Sequence, residues 1–198
     1  MEVHERALLM GSHAIYPFSQ KLVDTYNIAK GSFTFVKENL YRGRLPKMLF
    51  VTMVASEAFV GSYTRNPFNF QHFGVNMISL KKDGESIPAQ AYEPNFTASN
   101  YLLEYMQLAY ACNIANDTMG LLAFSQDEYP NGYCFFVFCL TPDMSMTTSE
   151  AQQSEPCNLR LELKFSGPLA ENVTLLTMGL FDGWITVDAN RQCHVSEI

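Results

Sequence analysis

Leu159–Phe165, LRLELKF, constrains the chain more than any other stretch. Leu159, Leu161, Leu163 and Phe165 alternate with Arg160, Glu162 and Lys164. Side chains on a strand point to opposite faces at a period of two, so one face here is apolar and the other charged. That is the signature of a half-buried antiparallel strand. Ser166–Asn172, with Gly167 and Pro168, breaks the pattern as a connecting loop. Val173–Leu180 resumes as a second strand. Asp182-Gly183 reads as a tight turn and Trp184–Val187 as a short closing strand. Three strands with short connections imply a sheet that the rest of the chain must cover.

The remaining segments supply that cover. Residues 1–15 read as an N-terminal arm, and Tyr16-Pro17 as an extended entry, because a residue before proline is pushed out of the helical region. Gln20–Ile28 alternates as a strand, with Leu22, Asp24, Tyr26 and Ile28 opposite Lys21, Val23, Thr25 and Asn27. Phe33–Val36 is a short extended piece and Glu38–Pro46 a loop. Lys47–Ala55, KMLFVTMVA, predicts a strand buried on both faces. Val75–Leu80 and Glu85–Ala91 flank Lys82-Asp83-Gly84, a hairpin signal. Asn100–Asn113 is the one helix, with an apolar stripe of Tyr101, Leu102, Tyr105, Met106, Leu108, Ala109 and Cys112 and with Ser99 as a candidate cap. Asn116–Tyr129 is a polar loop interrupted by Met119–Phe124. Pro130-Asn131-Gly132 is a turn before the buried strand Tyr133–Leu140, and Thr141–Pro156 is a flexible loop.

About eight antiparallel strands, one inserted helix and long loops make an all-β domain, residues 16–198. A jelly-roll β-sandwich is the commonest eight-stranded arrangement. Composition agrees. Apolar residues make up 47% and charged residues 17%, enough to build a core, and 15 Phe and 10 Tyr suit β structure.

Charge and motifs exclude more than they assign. A net charge of −7 argues against nucleic-acid binding, which needs clustered Lys and Arg. No apolar run approaches the roughly 20 residues that span a bilayer, so no membrane partner is expected. MEVHERALLM carries charges of both signs and is no secretory signal, which implies an intracellular location. Five cysteines, an odd number without regular spacing, read as reduced thiols. Three matches to the glycosylation pattern, at Asn95, Asn116 and Asn172, read as chance. There is no Gly-x-Ser-x-Gly, His-Glu-x-x-His, phosphate loop or Cys-x-x-Cys pair. His4, His13, His72 and His194 are dispersed, Cys193-His194 lacks further ligands, and Asp127-Glu128 reads as a solvated pair. Arg42, Arg44 and Lys47, like Lys81-Lys82, read as solvated strand ends. The expectation is a protein without catalysis, metal or cofactor.

One long segment asks for a role. Ser56–Phe73 is weakly periodic, and loops of this length are uncommon unless they pack or bind something. Its aromatics stand beside Arg and amide side chains, a mixture that interface cores and rims favour. Tyr63, Arg65, Asn66, Phe68, Phe70, His72 and Phe73 are therefore candidate interface residues. The alternative is that these aromatics bury against their own sheet.

Several stretches fall in an order that resembles a known family: Glu38–Lys47, Ala58–Asn76 with NPFNF, Asp127–Asp143, Asn158–Leu176 with LRLELKF, and Phe181–Gln192. From about Tyr16 to Gln192 the chain resembles the C-terminal part of the major capsid (hexon-like) proteins of Polinton/Maverick elements and adintoviruses. The resemblance implies a double jelly-roll subunit that trimerises into a capsomer of an icosahedral shell, without catalytic residues or cofactor. Its partners would be copies of itself and other capsid proteins, and its location the virion. At 198 residues the chain matches about one jelly roll, so the resemblance implies the second half of such a subunit. A stand-alone jelly roll, adopted by a host and binding a protein or carbohydrate through its loops, is the second reading.

Overall fold

A computed structural model describes residues 13–112, 124–141, 157–188 and 190–195. All of the loop expected at Thr141–Pro156 but Thr141 itself, most of Met119–Phe124, and residues 1–12 of the expected arm lie outside the described residues.

Two strands of 15 residues pair along their whole length. β1 (Ala14–Ile28) pairs antiparallel with β10 (Val173–Val187) at every position, from Ala14 opposite Val187 to Ile28 opposite Val173. This corrects the expected turn at Asp182-Gly183. An Asp-Gly dipeptide favours a turn only where the chain must reverse, and here an unbroken partner strand offers a full ladder instead. The Asp182 carboxylate is held by Lys47. Gly183 stays extended and leaves room for the Phe18 ring, which a Cβ at 183 would meet at 2.6 Å. β1 also begins earlier than Gln20, inside the expected arm.

The other long strands complete two sheets. β3 (Met48–Ala55) pairs with β10 on one side and with β8 (Phe135–Cys139) on the other, so the first sheet runs β1-β10-β3-β8. The second runs β2-β9-β5-β6, from β2 (Thr34–Lys37), β9 (Leu159–Phe165), β5 (Val75–Lys82) and β6 (Glu85–Tyr92). Eight antiparallel strands in two four-membered sheets form a jelly-roll β-sandwich. Short pieces are added: β4 (Phe70–Gln71) pairs with β7 (Asn131–Gly132), and β11 (Cys193–Val195) pairs with the end of β10.

Periodicity explains the core. Leu159, Leu161, Leu163 and Phe165 are buried, while Lys164 is exposed and Arg160 and Glu162 are half-exposed. Met48–Val54 is buried on both faces. One face meets the second sheet. The other is packed by β4, and Thr52 donates to the carbonyl of Cys134, just before β8, at 2.7 Å. The β5–β6 hairpin turns at Asp83 and Gly84, both at positive φ (50° and 95°), as a type I′ turn requires.

The helices depart from expectation. A five-residue helix, α1 (Ser56–Val60), follows β3 directly, where no helix was read. The expected helix is present as α2 (Leu102–Ala111), but Ser99 does not cap it; Tyr101 occupies that position without a side-chain cap. Its buried face is also rotated from the predicted stripe. Tyr101, Glu104, Leu108, Ala109 and Ala111 are buried, whereas Leu102 is 52% exposed. The helix is apolar nearly all round, so periodicity alone does not select a face. Tyr101 stacks on Tyr129, and α2 packs on β8. Burial raises the pKa of the Glu104 carboxyl above the usual carboxylate value.

Among the described residues, which include all five cysteines, no disulfide forms. Lys47 corrects another reading: its ammonium lies 2.6 Å from Asp182 with 6% of the side chain exposed, so it is no solvated strand end.

Candidate functional site

The segment from α1 to β5 packs against β3 and is anchored at both of its own ends. Ser56 donates its backbone N–H to the Asn172 carbonyl at 3.0 Å, and its hydroxyl lies 2.9 Å from that of Thr174. At the far end Phe70 and Gln71 pair with Gly132 and Asn131, and the Cys134 N–H donates to the Phe70 carbonyl.

The seven candidate residues fall into three groups. Phe70, His72 and Phe73 turn inward. The Phe70 ring meets Phe135 edge-on at 4.8 Å, and Phe73, at φ 46°, packs against the core. His72 stacks on Phe96 at 4.0 Å, and Phe96 stacks in turn on Tyr101, so an aromatic column ties the loop to the start of α2. Arg65 and Asn66 shape the loop. The Arg65 guanidinium bonds Glu171 and lies 3.3 Å from Glu57, and the Asn66 side chain accepts the Phe68 N–H at 2.9 Å. Tyr63 and Phe68 face solvent, Phe68 at 73% exposure. Phe59 and Val60 on α1 are exposed as well. Phe59 counts among the aromatics of this segment but is not among the interface candidates, and nothing marks Val60, because a five-residue helix is too short to show a period.

Beside this loop lies a shallow pocket of about 350 Å³, whose wall includes Arg65, Asn66, Asn69, Gln71, Phe73 and Glu171. Among the described residues no group of three or more His, Cys, Asp or Glu side chains is placed to hold a metal ion. Among the described residues His194 lies 3.9 Å from the Asp188 carboxylate. No described helix is long and apolar enough to cross a membrane.

His72 makes the loop sensitive to acid. Its Nδ1 accepts the Gly74 N–H at 2.9 Å, which places the proton of the neutral ring on Nε2. Burial lowers its pKa from 6.5. A proton added at Nδ1 removes that acceptor. The unfolded chain protonates first as pH falls, so this contribution is complete above about pH 6.5 and is lost as pH drops through the lowered folded value. Wild type should therefore lose more stability than His72→Gln between about pH 7 and pH 5 in denaturant melts. Equal losses would show that the ring titrates as if in water.

No protein-family model matches the chain. It is 27% identical over 139 residues to the uncharacterized protein F54H12.2 of Caenorhabditis elegans, covering 70% of this chain and 33% of that protein. Two solved structures are similar in fold. One is the Sputnik virophage structure by cryo-EM (TM-score 0.51, 14% identity, 93% of this chain and 39% of that chain). The other is the quasi-atomic model of the PBCV-1 virus capsid (TM-score 0.55, 9% identity, 99% of this chain and 54% of that chain). The chain thus spans from about a third to about half of the length of the proteins it matches. At these identities the likeness is one of fold.

Proposed function

We propose that this chain is a capsid-type structural protein that acts by associating with copies of itself, as a trimer, and carries no catalysis. The observation that supports it most is the jelly roll it shares with the PBCV-1 capsid over 99% of its length. The order of its segments further suggests kinship with the major capsid proteins of Polinton/Maverick elements and adintoviruses. On this reading residues 16–198 are one jelly-roll unit led by the arm 1–15, its partners include other capsid proteins, and its place is the shell of a virus particle. Nucleic acid has no part in it, given the net charge of −7.

Tyr63 and Phe68 carry the proposed contact, while Arg65 and Asn66 hold the loop in shape and Phe70, His72 and Phe73 root it. On this reading the association is reversible, so the mass of this chain should rise with concentration. Sedimentation across a wide concentration range should show wild type approaching a trimer and Phe68→Asp remaining smaller. A wild type that stays monomeric at high concentration, or a Phe68→Asp chain that unfolds, sinks the proposal.

The pocket beside Arg65 and Asn69 favours one second reading, a stand-alone module that binds a protein or carbohydrate through these loops. A monomeric wild type that retains a glycan or peptide on an array would favour it.

A further inference from the structure

The pocket of about 350 Å³ beside the loop that carries β4 joins two kinds of side chain. Val54 and Ala55 at the end of β3, Ala58 of α1 and Phe73 supply its apolar share. Its amides come from a short stretch of the loop. The Asn69 N–H donates to the Asn66 carbonyl at 3.2 Å, so one bend carries both asparagines. Asn66 commits its side-chain oxygen to the Phe68 N–H, which leaves its amide nitrogen as a donor. The Asn69 side-chain oxygen lies against Gly132, where a Cβ would come within 3.3 Å of it. Gln71 is placed by the pairing of β4 with Asn131 of β7. Among the described residues the side-chain amides of Asn69 and Gln71 have no hydrogen-bond partner. Each therefore offers a donor and an acceptor.

The charges of the pocket cancel. Arg65 and Glu171 both line it and bond each other, and Glu57 lies 3.3 Å from the same guanidinium. A cation compensated by two carboxylates leaves no excess charge for a phosphate or an acidic chain. The pair also fixes two planar hydrogen-bonding groups before any ligand arrives, which lowers the ordering cost of binding.

We propose that this pocket binds one neutral sugar ring of a glycan. This rests on the second reading given above, that the chain binds a partner through these loops, and it names the class of that ligand. A pyranose ring is uncharged, with an apolar C–H face and hydroxyls at its edge, each both donor and acceptor. Phe73 and the alkyl groups of Val54 and Ala58 suit the face. The amides, the guanidinium and the carboxylate suit neighbouring hydroxyls. The volume falls at the small end of ligand sites, roughly 300–1,000 Å³, which admits a sugar ring but not a long peptide. Neither Tyr63 nor Phe68 lines the pocket, so a bound sugar leaves the proposed self-contact untouched. A shallow site with few contacts binds weakly, with a Kd of about 1 mM.

The test is a titration of the whole chain, followed by NMR at the Asn69 and Gln71 side-chain amides. The ligands are the methyl glycosides of glucose, galactose, mannose, N-acetylglucosamine and glucuronic acid. At least one neutral glycoside should give a saturating shift, and glucuronide should bind no more tightly. Asn69→Ala should weaken that binding about two- to tenfold, the loss of a hydrogen bond. Gln71→Ala replaces it should the melting curve show lost folding. No saturating shift with any neutral glycoside overturns the proposal. A shift that the variant leaves unchanged places the sugar elsewhere and overturns it too, and tighter binding of the glucuronide overturns the neutral class. Glycosides that all fail while a peptide array still retains the chain overturn the sugar and leave the binding-module reading standing. Failure of both overturns both.

Discussion

Lys47→Met should cost about 3–5 kcal/mol of folding stability, the range for leaving one charge of a buried pair without its partner. Lys47 Nζ and Asp182 Oδ2 are 2.6 Å apart, with 6% and 15% of their side chains exposed. The Lys47 backbone is fixed on both sides, its N–H donating to the Leu180 carbonyl at 2.7 Å and its carbonyl accepting the Leu140 N–H at 2.8 Å. The side chain therefore starts from a fixed point inside the sheet and lies 6% exposed beside Asp182. Methionine fills similar volume but removes the cation that lies 2.6 Å from the largely buried Asp182 carboxylate. Asp182→Asn should be damaging for the mirrored reason. The double variant Lys47→Met/Asp182→Leu should recover most of the loss, since apolar replacement of a buried pair is often neutral or stabilising. Urea melts of the four proteins form a double-mutant cycle. A loss below about 1 kcal/mol for Lys47→Met would mean that the pair behaves as a solvated surface pair.

Leu161→Ala should cost about 2–5 kcal/mol, and Glu162→Ala, one residue on, about 0.5 kcal/mol or less. Leu161 is fully buried and lies opposite Leu80 of β5 and Lys37 of β2. Truncation there removes packing from the centre of the sandwich and leaves a cavity between rigid sheets. Glu162 points to the other face, 3.4 Å from Lys81 and 3.9 Å from Arg160. Partly solvated pairs of this kind contribute little. Equal losses in guanidinium melts would place the strand one residue out of register, exchanging its faces.

The site was only partly legible. The sequence marked Ser56–Phe73 as a segment that packs or binds, yet it could not divide the aromatics. Phe70, His72 and Phe73 are rooted by residues far along the chain, Phe135, Phe96 and the core, whereas Phe68 has no such seat and stays exposed. Without those distant partners the four rings look alike.

What the sequence determined by itself was local and periodic. Alternation in LRLELKF set the strand and its faces, the apolar run from Met48 demanded a strand buried twice, and Asp83-Gly84 supplied the positive φ of a hairpin. These depend on residues within one strand or turn, so neighbours in the chain suffice to specify them. Only the tertiary structure decided that Asp182-Gly183 stays straight, that Lys47 goes inside, and that α2 buries Glu104 while exposing Leu102. Asp182-Gly183 is held straight by Phe18 and Ser19 of β1, more than 160 positions away, Lys47 by the carboxylate of Asp182, and α2 by Tyr129 and β8. A local preference is worth a kilocalorie or less, and a ladder, a buried charge pair or an aromatic stack formed across the fold outweighs it.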